Sequence, residues 1–228
     1  MTFTDWLPAL MAIGGYLLGS IPFGVLVAKC LGTADPRTAG SRNIGFTNVL
    51  RVSGKKAGLL TLVGDVGKGW VVGWVAALTL TDETMVLAVT VCPILGHLFP
   101  VFLGFRGCKG VATALGAVAG VAPGLGLVML TVWLATAAIW RYSSGAALAA
   151  FAALPIGSFL MGKTWQFQTF AWLICGLILL RHIDNIKRLW QGAEPKIGQG
   201  STGSKDCTAV TAGESRVAGG IESEGLDR

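Results

Sequence analysis

Residues 111–140 read VATALGAVAGVAPGLGLVMLTVWLATAAIW, an apolar run of 30 residues that stops at Arg141. A helix needs about 20 apolar residues to cross a bilayer, so the run is long for one crossing and short for two. Pro123-Gly124 falls mid-run, where a helix breaks. The flanking charges decide the count. Residues 104–110, before the run, contain Arg106 and Lys109, and Arg141 follows it. Loops rich in Lys and Arg stay on the cytoplasmic side, so both ends share a side and the number of crossings is even. Two short spans, 111–122 and 125–140, are expected.

The same alternation extends outward. Spans are expected at 6–28, 57–80 and 85–103 upstream, and at 145–161 and 167–180 downstream. Residues 33–56 hold Arg37, Arg42, Arg51, Lys55 and Lys56, whereas Thr81-Asp82-Glu83-Thr84 holds no basic residue. Residues 181–188 are basic again. The pattern predicts an all-α polytopic integral membrane protein of about seven transmembrane helices, with the N-terminus outside and the C-terminus cytosolic. Five crossings, with the shortest spans re-entrant, is the competing count.

Composition supports this class. Of 228 residues, 53% are hydrophobic and 13% charged, with a mean hydropathy of +0.65, whereas a soluble domain carries roughly a quarter charged residues. Period-two alternation is absent, which excludes a β-barrel. The net charge of +6 belongs to cytosolic loops and anionic headgroups rather than to nucleic acid. The first 29 residues lack a basic start and read as a span, not a cleavable signal. Residues 1–198 are expected as one transmembrane domain. Residues 199–228, rich in Gly, Ser, Thr and mixed charge, are expected as a disordered cytosolic tail. Cys30, Cys92, Cys108, Cys175 and Cys207 show neither CxxC nor metal-ligand spacing and read as free thiols.

Every polar cluster falls on the cytosolic face. Residues 40–51 combine Ser41, Asn43, Thr47 and Asn48 with Arg42, Arg51 and two flexible points, Gly40 and Gly45. Guanidinium groups take phosphate in a bidentate way, and amides and hydroxyls meet hydroxyl groups, so the set suits a phosphorylated polyol. No carboxylate pair accompanies it, so a two-metal site is not expected. Gly104-Phe105-Arg106-Gly107-Cys108-Lys109-Gly110 precedes a helix start, where glycines and unpaired N–H groups receive an oxyanion; a plain basic turn fits equally. Asp65 and Lys68, spaced i,i+3 inside a span, form either a structural ion pair or a site wall. Arg181, Asn185 and Arg188, at i, i+4 and i+7, make one polar stripe or a snorkelling helix end. His97 reads as a buried structural histidine.

With these residues in hand, the chain resembles the bacterial acyl-phosphate:glycerol-3-phosphate acyltransferase family over roughly residues 6–197. The resemblance rests on three motifs in order: residues 40–51, residues 104–113, and residues 181–189 continuing through Gly192 and Glu194-Pro195-Lys196. Asp65, Lys68-Gly69 and Arg141-Tyr142-Ser143-Ser144 are also similar. Two positions differ, Cys108 where Gly is usual and Phe46 where Ala is usual; a positive φ at Cys108 would be costly.

The resemblance implies acyl transfer from acyl phosphate to the 1-hydroxyl of sn-glycerol 3-phosphate, giving 1-acyl-glycerol 3-phosphate and phosphate, for phospholipid biosynthesis. It implies no cofactor and no metal. It also implies a multi-pass place in the bacterial cytoplasmic (inner) membrane, with the site facing the cytosol and membrane lipid around it. A soluble enzyme producing acyl phosphate is an implied partner. Catalytic roles go to Lys109, His182 and Asn185. Substrate binding goes to Ser41, Arg42, Asn43, Gly45, Asn48, Arg51, Lys68, Gly107, Gly110, Thr113, Ser143 and Arg188, with Asp65 as structural partner of Lys68. His182 or a substrate phosphate takes the proton of the attacking hydroxyl. The soluble-type His-x4-Asp pattern is absent, since Phe102 and Lys187 stand five residues after His97 and His182. A transporter or channel for phosphate-like anions is the alternative from another class, and a lipid-binding scaffold is a third.

Overall fold

The computed structural model describes residues 3–198; the expected tail, 199–228, lies outside the described residues. The described chain folds as α1 (Phe3–Ser20), α2 (Phe23–Cys30), α3 (Phe46–Thr79), α4 (Glu83–Leu98), α5 (Val111–Val121), α6 (Pro123–Trp140), α7 (Ser143–Leu160), α8 (Trp165–Arg181) and α9 (Ile183–Trp190). All seven expected spans coincide with helices. Phe46–Thr79, Glu83–Leu103, Pro123–Trp140 and Ser143–Leu160 are each long and apolar enough to cross a membrane alone. Two bent pairs, α1 with α2 at 47° and α8 with α9 at 63°, raise the candidates to six.

The seventh, α5, has 11 residues and reaches about 16 Å at 1.5 Å per residue. It sits inside the protein: Ala114, Ala117 and Val118 are fully buried, packed with Leu98, Leu125, Phe151 and Ile174 from the surrounding helices. The break after it comes one residue earlier than expected. Ala122 leaves helical geometry (φ −146°, ψ 77°), and Pro123 starts α6, because a first helical position needs no N–H and suits the fixed φ of proline.

Two expectations change. Residues 33–56 are not all loop, since α3 begins at Phe46; Gly54 (φ 90°, ψ 175°) then interrupts it, so the span proper starts after that glycine. The stripe Arg181–Asn185–Arg188 is not one helical face. His182 (φ −110°, ψ 9°) ends α8 and precedes α9, which sends Arg181 one way and Asn185 with Arg188 another.

In lipid, helices associate through close packing rather than apolar burial from water, so small residues gather at their contacts. Helix α5 lies against α3 in this way. A Cβ at Gly69 would strike the Thr113 carbonyl, and one at Gly116 would strike the Val66 carbonyl. The contacts advance from Gly69 with Thr113 to Gly73 with Val121, so the two helices run parallel. The pairing sets the start of α5, and the loop before it, beside the middle of α3.

Gly116→Leu should therefore cost on the order of 1–3 kcal/mol by overpacking, read as a lower Tm in detergent. Gly67→Ala, where a Cβ meets open space, should leave Tm unchanged.

Candidate functional site

The polar loops converge as the sequence suggested. A cavity of about 350 Å³ is lined by Ser41, Arg42 and Asn43 from the first loop, by Gly107, Cys108 and Lys109 from the second, and by Leu180, Arg181, Ile183 and Asp184 at the α8–α9 bend. Arg42 adopts a left-handed backbone (φ 56°) and is exposed. Among the described residues neither its guanidinium nor the Lys109 ammonium makes a hydrogen bond or ion pair, so both cations line the cavity with bonding capacity left.

Asn48 is buried and holds the first loop together. Its Oδ1 accepts from the Ser41 N–H at 2.9 Å, and its Nδ2 donates to the carbonyls of Pro36 (2.9 Å), Ala39 (3.2 Å) and Asn43 (2.8 Å). Asn48, expected among the substrate-binding residues, has its amide engaged by its own loop. Gly45 caps α3, and a Cβ there would approach Cys108 Sγ to 2.6 Å, so the two loops touch at this glycine.

The second loop is fixed on both sides. The Cys108 N–H donates to the His97 carbonyl at 3.2 Å. Arg181 donates through Nη2 to the carbonyls of Gly107 (3.1 Å) and Cys108 (3.0 Å). Gly107 presses on the His97 carbonyl so closely that no Cβ fits. Gly110 takes φ 83° as the cap of α5. Cys108 is absent from the positive-φ residues, so a cysteine is accommodated there without backbone strain. Thr113 is wholly buried and, among the described residues, its hydroxyl has no hydrogen-bond partner.

Lys68 does not line the cavity. Its Nζ lies 2.9 Å from Asp65 Oδ1 and donates to the Ile21 carbonyl at 2.9 Å, both side chains being buried. The Asp65 contact is an ion pair without hydrogen-bond geometry. Lys68 as substrate ligand is thus replaced by Lys68 as partner of a backbone carbonyl at the α1–α2 break. Arg51, half-buried on α3, is not part of the cavity lining either.

One residue of the third motif, Glu194, was given no role by the sequence reading. Glu194 is buried and accepts from Ser144 Oγ (2.6 Å), Asn185 Nδ2 (2.6 Å) and Arg188 Nε (2.8 Å). Burial pushes its carboxyl up, but these hydrogen bonds outweigh that and hold it below the usual range. Asn185 and Arg188 are therefore tied to a carboxylate, and Ser143 Oγ bonds Thr47 Oγ1 at 3.0 Å. The available signal was a lone acid after a basic stretch. His182 is buried with Nδ1 2.8 Å from the Ile178 carbonyl; burial drives its pKa down to about 4 against that hydrogen bond. Burial likewise lowers the Lys109 ammonium, against the pull of Cys108 and Glu194.

Residues 9–192 match the glycerol-3-phosphate acyltransferase family. A glycerol-3-phosphate acyltransferase of Aromatoleum aromaticum is 48% identical over 190 residues, covering 83% of this chain and 96% of the relative. One from Jannaschia sp. is 47% identical over 192 residues, covering 84% and 94%. Among solved structures, the integral membrane glycerol 3-phosphate acyltransferase PlsY in its glycerol 3-phosphate form superposes with a TM-score of 0.80 at 40% identity, covering 84% of this chain and 96% of that one. Its lysophosphatidic acid form gives 0.78 at 39%, covering 83% and 94%.

Two outcomes follow from the geometry. Asn48→Asp, which sets a carboxylate against three carbonyls, should destabilise by on the order of 2–3 kcal/mol, measured by unfolding in detergent; an unaltered Tm would contradict the loop-holding role. The His182 ring should remain neutral at pH 6 by histidine NMR, with a His97→Gln sample to separate the two imidazoles, whereas a free imidazole would be mostly protonated there.

Proposed function

The chain belongs to the glycerol-3-phosphate acyltransferase family, and we propose that the cavity between residues 41–43 and 107–109 is where acyl phosphate meets glycerol 3-phosphate. The protein is an integral membrane acyltransferase acting on glycerol 3-phosphate, and the transporter alternative falls away. The carrying observation is the pair of cationic loops facing one space, Arg42 on one and Lys109 on the other. A reaction between an acyl phosphate and a phosphate ester brings two phosphate groups together and needs two such anion sites at once.

Acyl phosphate is already activated, because phosphate leaves readily. What remains is orientation and charge stabilisation. In this reading Ser41, Arg42 and Asn43 hold glycerol 3-phosphate. Lys109 and the amides of its loop face the acyl-phosphate group. The 1-hydroxyl oxygen attacks the acyl carbon, the carbon–oxygen bond to phosphate breaks, and the bonding pair leaves with phosphate. Lys109 stabilises charge on the carbonyl oxygen and the departing group.

A histidine held near pKa 4 is a weak base, so the hydroxyl proton passes to a phosphate oxygen. His182 then serves as a neutral, oriented group at the α8–α9 bend. Asn185 and Arg188, fixed by Glu194, complete the phosphate surroundings, with Ser143 beside Thr47; Gly45, Gly107, Gly110 and Thr113 shape the backbone. Because the donor is already activated, the proposed chemistry requires no metal.

The basic ends of the helices support a cytosolic site in the bacterial cytoplasmic membrane, with N-terminus outside and C-terminus inside. Acyl phosphate would then arrive from a soluble enzyme on the same side.

Purified protein given acyl phosphate and glycerol 3-phosphate should release lysophosphatidate and phosphate in equal amounts. Product from acyl-CoA but not from acyl phosphate would overturn the donor. Arg42→Ala and Lys109→Ala should each lower kcat/KM by about 100-fold, the scale of losing one charge-stabilising donor.

A further inference from the structure

Three buried titratable side chains lie below the cavity and take no part in the chemistry described: Asp65, Lys68 and His97, each no more than 4% exposed. Charged groups at such depth are expensive and are kept where they do something. Their contacts lead to both walls of the site.

On one side, Lys68 Nζ donates to the Ile21 carbonyl, at the break that turns α1 into α2. Its ammonium also lies 5.6 Å from the centre of the Phe23 ring on α2. One residue further, Gly24 packs against the Ile44 carbonyl with no room for a Cβ. Ile44 follows directly on Ser41-Arg42-Asn43. On the other side, Asp65 Oδ1 lies 3.5 Å from His97 Nδ1, and the His97 carbonyl accepts from the Cys108 N–H. Cys108 adjoins Lys109. The pair Asp65–Lys68 on α3 thus stands between the loop carrying Arg42 and the loop carrying Lys109.

We propose that Asp65 and Lys68 are positioning residues that set the spacing between the acceptor loop and the acyl-phosphate loop, Lys68 through the Ile21–Pro22 break and Asp65 through His97. This rests on the proposed assignment of the two loops. A reaction between two bound substrates depends on the approach of the reacting atoms, and a displacement of about 1 Å can cost 10²-fold in rate. The pair sets that approach while touching neither substrate, so its loss lowers kcat and leaves both KM values nearly unchanged.

Charge and position are separable in this pair. Removing one partner leaves an uncompensated buried charge and destabilises the fold, whereas removing both leaves none. Asp65→Asn and Lys68→Met should each lower Tm. The double variant should recover Tm towards wild type yet keep kcat down by about tenfold or more, with both KM values within about threefold of wild type. Recovery of kcat together with Tm, or a rise in KM at constant kcat, overturns the proposal. His97→Phe, which keeps a ring and the carbonyl but loses the contact with Asp65, reads the same outcome without altering the ion pair; kcat at the wild-type level sinks the Asp65 arm. Inactivity of the wild-type protein with acyl phosphate would count against the donor assignment alone, and the series is then read with acyl-CoA as donor.

Discussion

A backbone carbonyl or N–H inside a bilayer has no water to turn to, and this constraint organises the protein. The site needs helices that stop short or bend, and each interruption exposes groups that must find a partner. At the α1–α2 break the Ile21 carbonyl receives Lys68 Nζ. Beyond α4 the His97 carbonyl receives the Cys108 N–H. At the end of α8, the Gly107 and Cys108 carbonyls of the facing loop receive Arg181, and the Ile178 carbonyl receives the His182 ring. Of these partners Cys108 and Arg181 line the cavity, His182 sits at the α8–α9 bend beside it, and Lys68 lies below it. Satisfying the broken helices and shaping the site are the same set of contacts.

Glycines permit this arrangement by letting backbones meet. Gly24 lies on the Ile44 carbonyl, Gly107 on the His97 carbonyl and Gly69 on the Thr113 carbonyl, with no space for a side chain at any of them. The first two fix the cavity loops to helices that cross the membrane, and the third fixes α5 to α3. A methyl group at any one would move a loop by a fraction of an ångström or more, which is the scale on which an acyl transfer is aligned. The rigidity of the site therefore comes from backbone packing below it rather than from the loops themselves.

The span positions and the two facing loops were legible because charge and hydropathy alternate along the chain, and lipid enforces that alternation. The break at Pro123 was legible for a local reason, the missing N–H of proline. The break at His182 was not, since neither Gly nor Pro marks it; there Arg181 finds tertiary partners in Gly107 and Cys108, and the His182 ring bonds back to the Ile178 carbonyl of its own helix. The roles of Asn48 and Lys68 were illegible for a different reason. An amide that binds a ligand and an amide that binds its own loop look alike in sequence, and only the four contacts of Asn48 distinguish them. The role of Glu194, as distinct from its place in the third motif, was hidden because Gly192, at φ 67°, turns the chain back, and no periodicity announces such a return.

A carboxylate beside an anion-binding cavity requires explanation, since a free one would repel both phosphates. Glu194 is not free: Ser144, Asn185 and Arg188 all donate to it. Arg188 uses Nε for this contact, and among the described residues its terminal nitrogens have no partner. The guanidinium is thus held by its inner nitrogen with the outer two still unpaired, so a planar fork loses less freedom on meeting phosphate. Glu194 offsets part of the positive charge near Lys109 and Arg188, which would otherwise repel each other at a half-buried site. It also fixes Asn185 within the same turn of α9. The acid is therefore a condition for crowding cations around a small cavity, not an obstacle to it.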